Sequence, residues 1–186
     1  VLFIDNYDSY SYNILQMLEE TGASFDIVLH DHLDERVFGD YGAIMISPGP
    51  GLPNEYQIHY KAIHHCVKYK KKYLGICLGL QSLVCFFGGK LQNLPIPAHG
   101  IRKQIRIMEN TALFREIPSG VHIGLYHSWH ADLPDLPSCL RIIATSYDGI
   151  IMAVQHETLP LYAVQFHPES FMTEHGMPLL NNWIQL

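Results

Sequence analysis

The chain has 186 residues, 48% hydrophobic and 16% charged, with a formal net charge of −6. That length buries a substantial core and fits one globular unit over residues 1–186. The acidic balance argues against a nucleic-acid binder, which needs clustered Lys and Arg, and with no run near 18 apolar residues and no charged-then-apolar leader, we expect a cytoplasmic protein without a membrane partner.

Val1-Leu2-Phe3-Ile4-Asp5 is a short apolar run ending in an acid, the pattern of a strand buried on both faces. Tyr10 to Glu20 predicts a helix with Tyr10, Ile14, Met17, Leu18 and Thr21 near one stripe and Gly22 as its stop. Phe25–His30 and Ala43–Ser47 predict further strands, Glu55–Lys70 a helix, Tyr73–Ile76 a strand and Leu78–Phe87 a helix. Strands alternating with helices predict βαβ units and an open, doubly wound, mostly parallel α/β sheet with helices on both faces. Beyond residue 90 the texture changes. Ile101–Met108, Val121–Tyr126, Leu140–Ser146, Ile150–His156 and Tyr162–Phe166 read as strands of an antiparallel extension, closed by a helix over Gly176–Leu186.

The run Lys68-Tyr69-Lys70-Lys71-Lys72 reads as a solvated helix end whose cations complement the dipole. Cys66, Cys85 and Cys139 lie in apolar surroundings and read as buried small hydrophobes. His64-His65 and His127-Ser128-Trp129-His130 lack metal-ligand spacing, so no metal site is expected.

Cys77 stands apart. Gly75-Ile76-Cys77-Leu78-Gly79 has the G-x-nucleophile-x-G form of a nucleophile elbow, fed by a strand and left by a helix. The glycines are expected to permit a sharp turn that points the thiol at solvent, and the helix N-terminus favours its thiolate. His167-Pro168-Glu169 places a base and a carboxylate two residues apart, facing one side if the segment is extended. Together these predict a Cys77-His167-Glu169 triad, in a chain order unlike that of the α/β-hydrolases. Ser47-Pro48-Gly49-Pro50-Gly51-Leu52-Pro53 is a rigid loop at a strand's C-terminal end, able to present backbone N–H groups to an oxyanion.

Gly-Ile-Cys-Leu-Gly-x-Gln at 75–81, Ser-Pro-Gly-Pro-Gly at 47–51 and Val-Gln-Phe-His-Pro-Glu-Ser at 164–170 resemble the class I (triad-type) glutamine amidotransferases, whose fold is flavodoxin-like. Ile4-Asp5-Asn6-Tyr7-Asp8-Ser9 and Tyr126-His127-Ser128 narrow the resemblance to the glutaminase subunits of chorismate-aminating synthases, anthranilate synthase component II and para-aminobenzoate (aminodeoxychorismate) synthase component II. The resemblance implies Cys77 as nucleophile, His167 as general base and acid, and Glu169 as its orienting carboxylate. It implies oxyanion amides on Gly51 and Leu78, a glutamine-holding side chain on Gln81, and main-chain contacts from Gly49, Pro50, Gly51, Ser128 and Trp129. It further implies L-glutamine as substrate, a chorismate-binding synthase subunit as partner, and no cofactor. The family commonly has His at Leu80, Phe at Tyr10 and Leu at Trp129; the roles of Asp5, Asn6 and Asp8 stay open between capping and signalling. A stand-alone cysteine hydrolase and a silent regulatory module remain the alternatives.

Overall fold

A computed structural model describes residues 1–108 and 111–186. The elements run β1 (Leu2–Asp5), α1 (Ser11–Thr21), β2 (Asp26–Leu29), β3 (Ala43–Ile46), α2 (Gln57–Tyr69), β4 (Lys72–Ile76), α3 (Leu78–Phe86), β5 (Leu91–Ile107), β6 (His122–Ala131), β7 (Leu140–Ser146), β8 (Ile151–His156), β9 (Leu161–Val164) and α4 (Gly176–Gln185). The strands form one sheet in the order β2-β1-β3-β4-β9-β8-β7-β5-β6. From β2 to β9 every pairing is parallel; from β9 outward every pairing is antiparallel. The expected α/β architecture and its antiparallel extension are both present.

Alternation along the central strands feeds two apolar cores. Phe3, Met45, Leu74 and Val164 pack on one face with Ile14 and Leu18 of α1 and Leu180 and Trp183 of α4. Leu2, Ile4, Ile44, Tyr73 and Ala163 pack on the other with Ala62, Ile63 and Cys66 of α2 and Leu80 and Leu83 of α3. A strand covered by helices on both faces must be apolar at consecutive positions, which is why β1, β3 and β9 read as unbroken runs. Gly22 ends α1 in the left-handed conformation, φ 72°, as its position predicts.

Several boundaries differ from expectation. The turn Pro53–Glu55 is a 3₁₀ segment separate from α2, which starts at Gln57. The strand at Ile101 begins ten residues earlier, at Leu91, because Pro95, Pro97 and Gly100 are absorbed at register shifts against β6 rather than breaking the strand. The lysine run is not simply solvated. Lys71 Nζ donates to the carbonyls of Phe38, Gly39 and Tyr41, and Lys72 Nζ donates to Ile184 O of the last helix at 2.7 Å. Cys66 is buried, which pushes its thiol up to about 12, whereas Cys85 and Cys139 are only half-buried. No helix among the described residues is long and apolar enough to cross a membrane.

Candidate active site

The parallel neighbours β4 and β9 deliver the two halves of the predicted triad. β4 runs directly into Cys77, whose N–H donates to Val164 O, the last residue of β9, at 2.8 Å. Cys77 adopts φ 50°, ψ −97°, and so stores strain that for a non-glycine residue costs on the order of 1–3 kcal/mol. The left-handed residue is therefore the cysteine itself, and its flanking glycines serve a different need. A Cβ on Gly75 would lie 2.4 Å from the carbonyl carbon of Gly79, and one on Gly79 would lie 2.8 Å from Ile46 O. Both glycines are required by close approach of backbone. Tyr73 braces the turn from below, its hydroxyl donating to Gly79 O at 2.8 Å. The thiol is not held out in solvent as the elbow motif suggests: Cys77 is 6% exposed, at the base of a cavity.

His167 follows β9 by three residues and is bridged to β6, its N–H donating to Gly124 O at 3.1 Å. Its Nδ1 is 2.6 Å from Glu169 Oε1. The segment is a turn rather than an extended strand, with Ser170 N–H donating to His167 O; Glu169 reaches the ring because the chain folds back on itself. Both side chains are almost wholly buried. Burial opposes the imidazolium, yet the Cys77 sulfur and the Glu169 carboxylate together outweigh it and hold the His167 pKa well above its ordinary value. With Nδ1 committed to Glu169, Nε2 is the nitrogen left for the sulfur. It is buried and has no partner of normal hydrogen-bond geometry among the described residues, a looseness common before substrate binds.

The cavity measures about 540 Å³ and is lined by Cys77, Gly49, Pro50, Gly51, Gln81, Ser128 and Trp129; Leu78, the other expected oxyanion donor, is not among its lining residues. His167 and Glu169 sit behind Cys77, under the ring of Tyr126, whose centroid is 4.9 Å from that of His167. Neither the Gly51 nor the Leu78 amide has an acceptor among the described residues. Leu78 opens α3, where the first amides lack intrahelical partners. Gly51 has φ 72°, and a Cβ there would meet the Glu55 carboxylate at 2.6 Å, the same group that accepts from Leu52 N–H. Gln81 donates to Trp129 O at 2.8 Å, an oxygen it shares with His127 Nδ1. Trp129 O thus anchors Gln81 and His127 through the backbone, independently of the indole that stands where the family commonly has Leu. Leu80 faces the α2 side core, away from the triad.

The open trio after β1 divides into separate tasks. Asp5 accepts from Tyr7 N–H and Ser11 Oγ, and Asp8 from Tyr10 N–H, so both secure the entry to α1. Asp8 also brings a carboxylate oxygen within 4.8 Å of ligand atoms of His167 and Glu169. Asn6 is fully buried and turned toward the Ser47 loop. Sequence reasoning missed His99, which lines the cavity, and Gln165, whose Nε2 is 3.4 Å from Cys77 Sγ. A polar residue alternating within the apolar run Val164–Phe166 was the available signal for Gln165.

A family model for glutamine amidotransferase class-I matches residues 2–186. The chain belongs to the class I glutamine amidotransferases. It is 36% identical over 186 residues to an anthranilate synthase component 2 of Azospirillum brasilense, covering 99% of this chain and 94% of that one. It is 37% identical over 189 residues to the aminodeoxychorismate/anthranilate synthase component 2 of Bacillus subtilis, covering 100% and 95%. Among solved structures, a glutamine amidotransferase from Thermotoga maritima superposes with a TM-score of 0.79 at 20% identity, over 99% of this chain and 80% of that one. This last likeness concerns the fold.

Proposed function

We propose that this amidotransferase, acting as one unit over residues 1–186, hydrolyses L-glutamine and supplies the ammonia to a chorismate-aminating synthase subunit. The observation that carries the reading is the buried Cys77-His167-Glu169 array, with Cys77 lining a cavity beside Gly51, while the Gly51 and Leu78 amides lack acceptors among the described residues. The Cys77 thiolate attacks the side-chain carboxamide carbon, and the oxyanion that forms is received by the Gly51 and Leu78 amides. His167 Nε2 passes its proton to the leaving nitrogen, the C–N bond breaks, and ammonia departs from a γ-glutamyl thioester. Water then attacks the thioester, His167 takes its proton, and glutamate leaves with the thiolate restored. Glu169 keeps the imidazole oriented and stabilises its charged form. Gln81, Ser128, Trp129 and the Gly49–Gly51 backbone hold the amino-acid end of the substrate. The chemistry needs no cofactor.

Both relatives bear names of chorismate-using synthase components and match this chain nearly end to end. That pattern supports a heteromeric assembly in which ammonia passes to a second polypeptide before water protonates it. The names span anthranilate and aminodeoxychorismate synthesis, so the tryptophan and folate branches are both served by the proposal. The test is glutamate release by the chain alone, with a chorismate-using synthase subunit, and with that subunit plus chorismate. Turnover stimulated by subunit and chorismate supports the reading. Full, partner-independent turnover favours a stand-alone hydrolase, and no turnover in any arm a silent module.

A further inference from the structure

The two candidate oxyanion amides belong to different pieces of the fold. Leu78 is the first residue of α3, whereas Gly51 lies in the loop that leaves β3. An oxyanion hole needs both amides fixed relative to one sulfur, to a few tenths of an ångström. One side chain joins the two pieces. His59 of α2 is completely buried, and both of its ring nitrogens are engaged. Nδ1 is 2.9 Å from Ser82 Oγ, on α3, and Nε2 is 2.8 Å from Asn6 Oδ1. Asn6 in turn donates through Nδ2 to Ser47 O and Oγ, and through its backbone N–H to Ser47 Oγ. Ser47 Oγ donates to Pro48 O at 2.7 Å, inside the loop.

Those bonds fix the direction of every proton. Asn6 uses its amide nitrogen on Ser47, so its oxygen faces His59 and must receive Nε2–H. Nδ1 is then the acceptor, filled by the Ser82 hydroxyl. The relay runs Ser82 to His59 to Asn6 to Ser47 to Pro48, one-way and fully satisfied. The loop also rests on the same residues sterically. A Cβ on Gly49 would meet Asn6 Cβ at 2.5 Å and Leu78 Cδ2 at 3.0 Å. Tyr56 adds a second tie, its ring stacked on His59 at 4.7 Å and its hydroxyl donating to Pro50 O at 2.8 Å. His59 thus bonds α3 directly through Ser82 and reaches the Ser47 loop through Asn6, which follows β1.

We infer that His59 is a positioning residue for glutamine hydrolysis: by bridging Ser82 on α3 to Asn6 and the Ser47–Gly51 loop, it holds the Gly51 and Leu78 amides in one oxyanion-binding arrangement. The inference rests on the proposed glutaminase reading. It touches neither substrate nor sulfur, so its loss should misalign the hole while leaving the thiol reactive.

The experiment compares the wild-type chain with His59→Leu, which keeps bulk and removes both bonds, and His59→Gln, which restores one donor and one acceptor. For each, kcat and KM for glutamine are measured beside the alkylation rate of Cys77 by two reagents, followed by peptide mass mapping. Iodoacetamide needs only the thiolate; a chloroketone analogue of glutamine also places a carbonyl oxygen in the oxyanion hole. One badly aimed oxyanion donor costs about 10²–10³ in rate when lost outright, so His59→Leu should lower kcat and chloroketone reactivity together by about 10- to 100-fold. KM and the iodoacetamide rate should stay within about threefold of wild type, with His59→Gln intermediate. If His59→Leu does not fold, His59→Gln is judged by the same split. A kcat within twofold of wild type, or iodoacetamide reactivity falling in step with the chloroketone, overturns the inference. A wild-type chain that does not react with the chloroketone and does not turn over glutamine, either alone or with a chorismate-using synthase subunit and chorismate, overturns the underlying reading, and this one with it.

Discussion

The buried histidines make a sharp prediction about acid sensitivity. Burial holds His59 down at about 3 against an ordinary value of 6.5, and the fold binds its neutral form through two hydrogen bonds. The unfolded chain takes up a proton near 6.5 that the folded chain refuses. The stabilisation is therefore complete above pH 6.5 and is lost progressively as the pH falls toward 3. Between pH 7 and pH 5 this one group should remove about 2 kcal/mol of stability. His127, held down to about 4 chiefly by burial, behaves the same way and removes a similar amount. His59→Gln has nothing to protonate, so its stability should fall by about 2 kcal/mol less than wild type over the same interval. For a chain of this size that is a difference of roughly 4–8 °C in the change of Tm. Thermal melts of both proteins at half-unit pH steps check it. Melting curves that fall in parallel between pH 7 and pH 5 would refute the linkage, whatever the offset at neutral pH.

Cys77→Ala should abolish glutamate release while leaving a cooperative melt, because the side chain faces a cavity and the left-handed φ is equally strained for Ala; retained turnover on the same sample would remove Cys77 from the mechanism. His167→Asn should lose more turnover than Glu169→Gln, since the ring moves a proton in both half-reactions and the carboxylate only orients it; rapid quench with labelled glutamine should find little thioester in the former. Gly79→Ala should be among the most damaging small changes in the chain, as its Cβ would press to 2.8 Å on the backbone oxygen of Ile46. Denaturant titration should show a loss above about 2 kcal/mol.

Much of this was legible because the central strands are apolar at consecutive positions and because the elbow, the glycine-proline loop and His-Pro-Glu each sit at a strand end. The resemblance then supplied roles for side chains whose spacing alone is silent, such as Gln81 and Ser128. What stayed hidden depended on tertiary approach. Nothing local distinguishes His59 from His64 or His65 on the same helix; only the fold sets it between Ser82 and Asn6. Pro95 and Pro97 advertise a break, yet the irregular pairing of β5 and β6 accommodates them. The glycines at 75 and 79 carried the right identity for a different reason, backbone proximity instead of backbone angle.

The seam between β4 and β9 also has a consequence for folding. The cysteine at position 77 waits for a base at position 167, and even its own strained peptide is tethered to Val164. Parallel pairing across so long a stretch of chain must close a long loop first, so it is expected to follow the local helices and hairpins. During synthesis the thiol emerges well before the strand that activates it. Until β9 slots between β4 and β8, Cys77 is an ordinary cysteine with no imidazole to draw off its proton. Glutamine-directed chemistry thus awaits the docking of β9, and labelling of Cys77 by a chloroketone analogue of glutamine during refolding would report when that strand is in place.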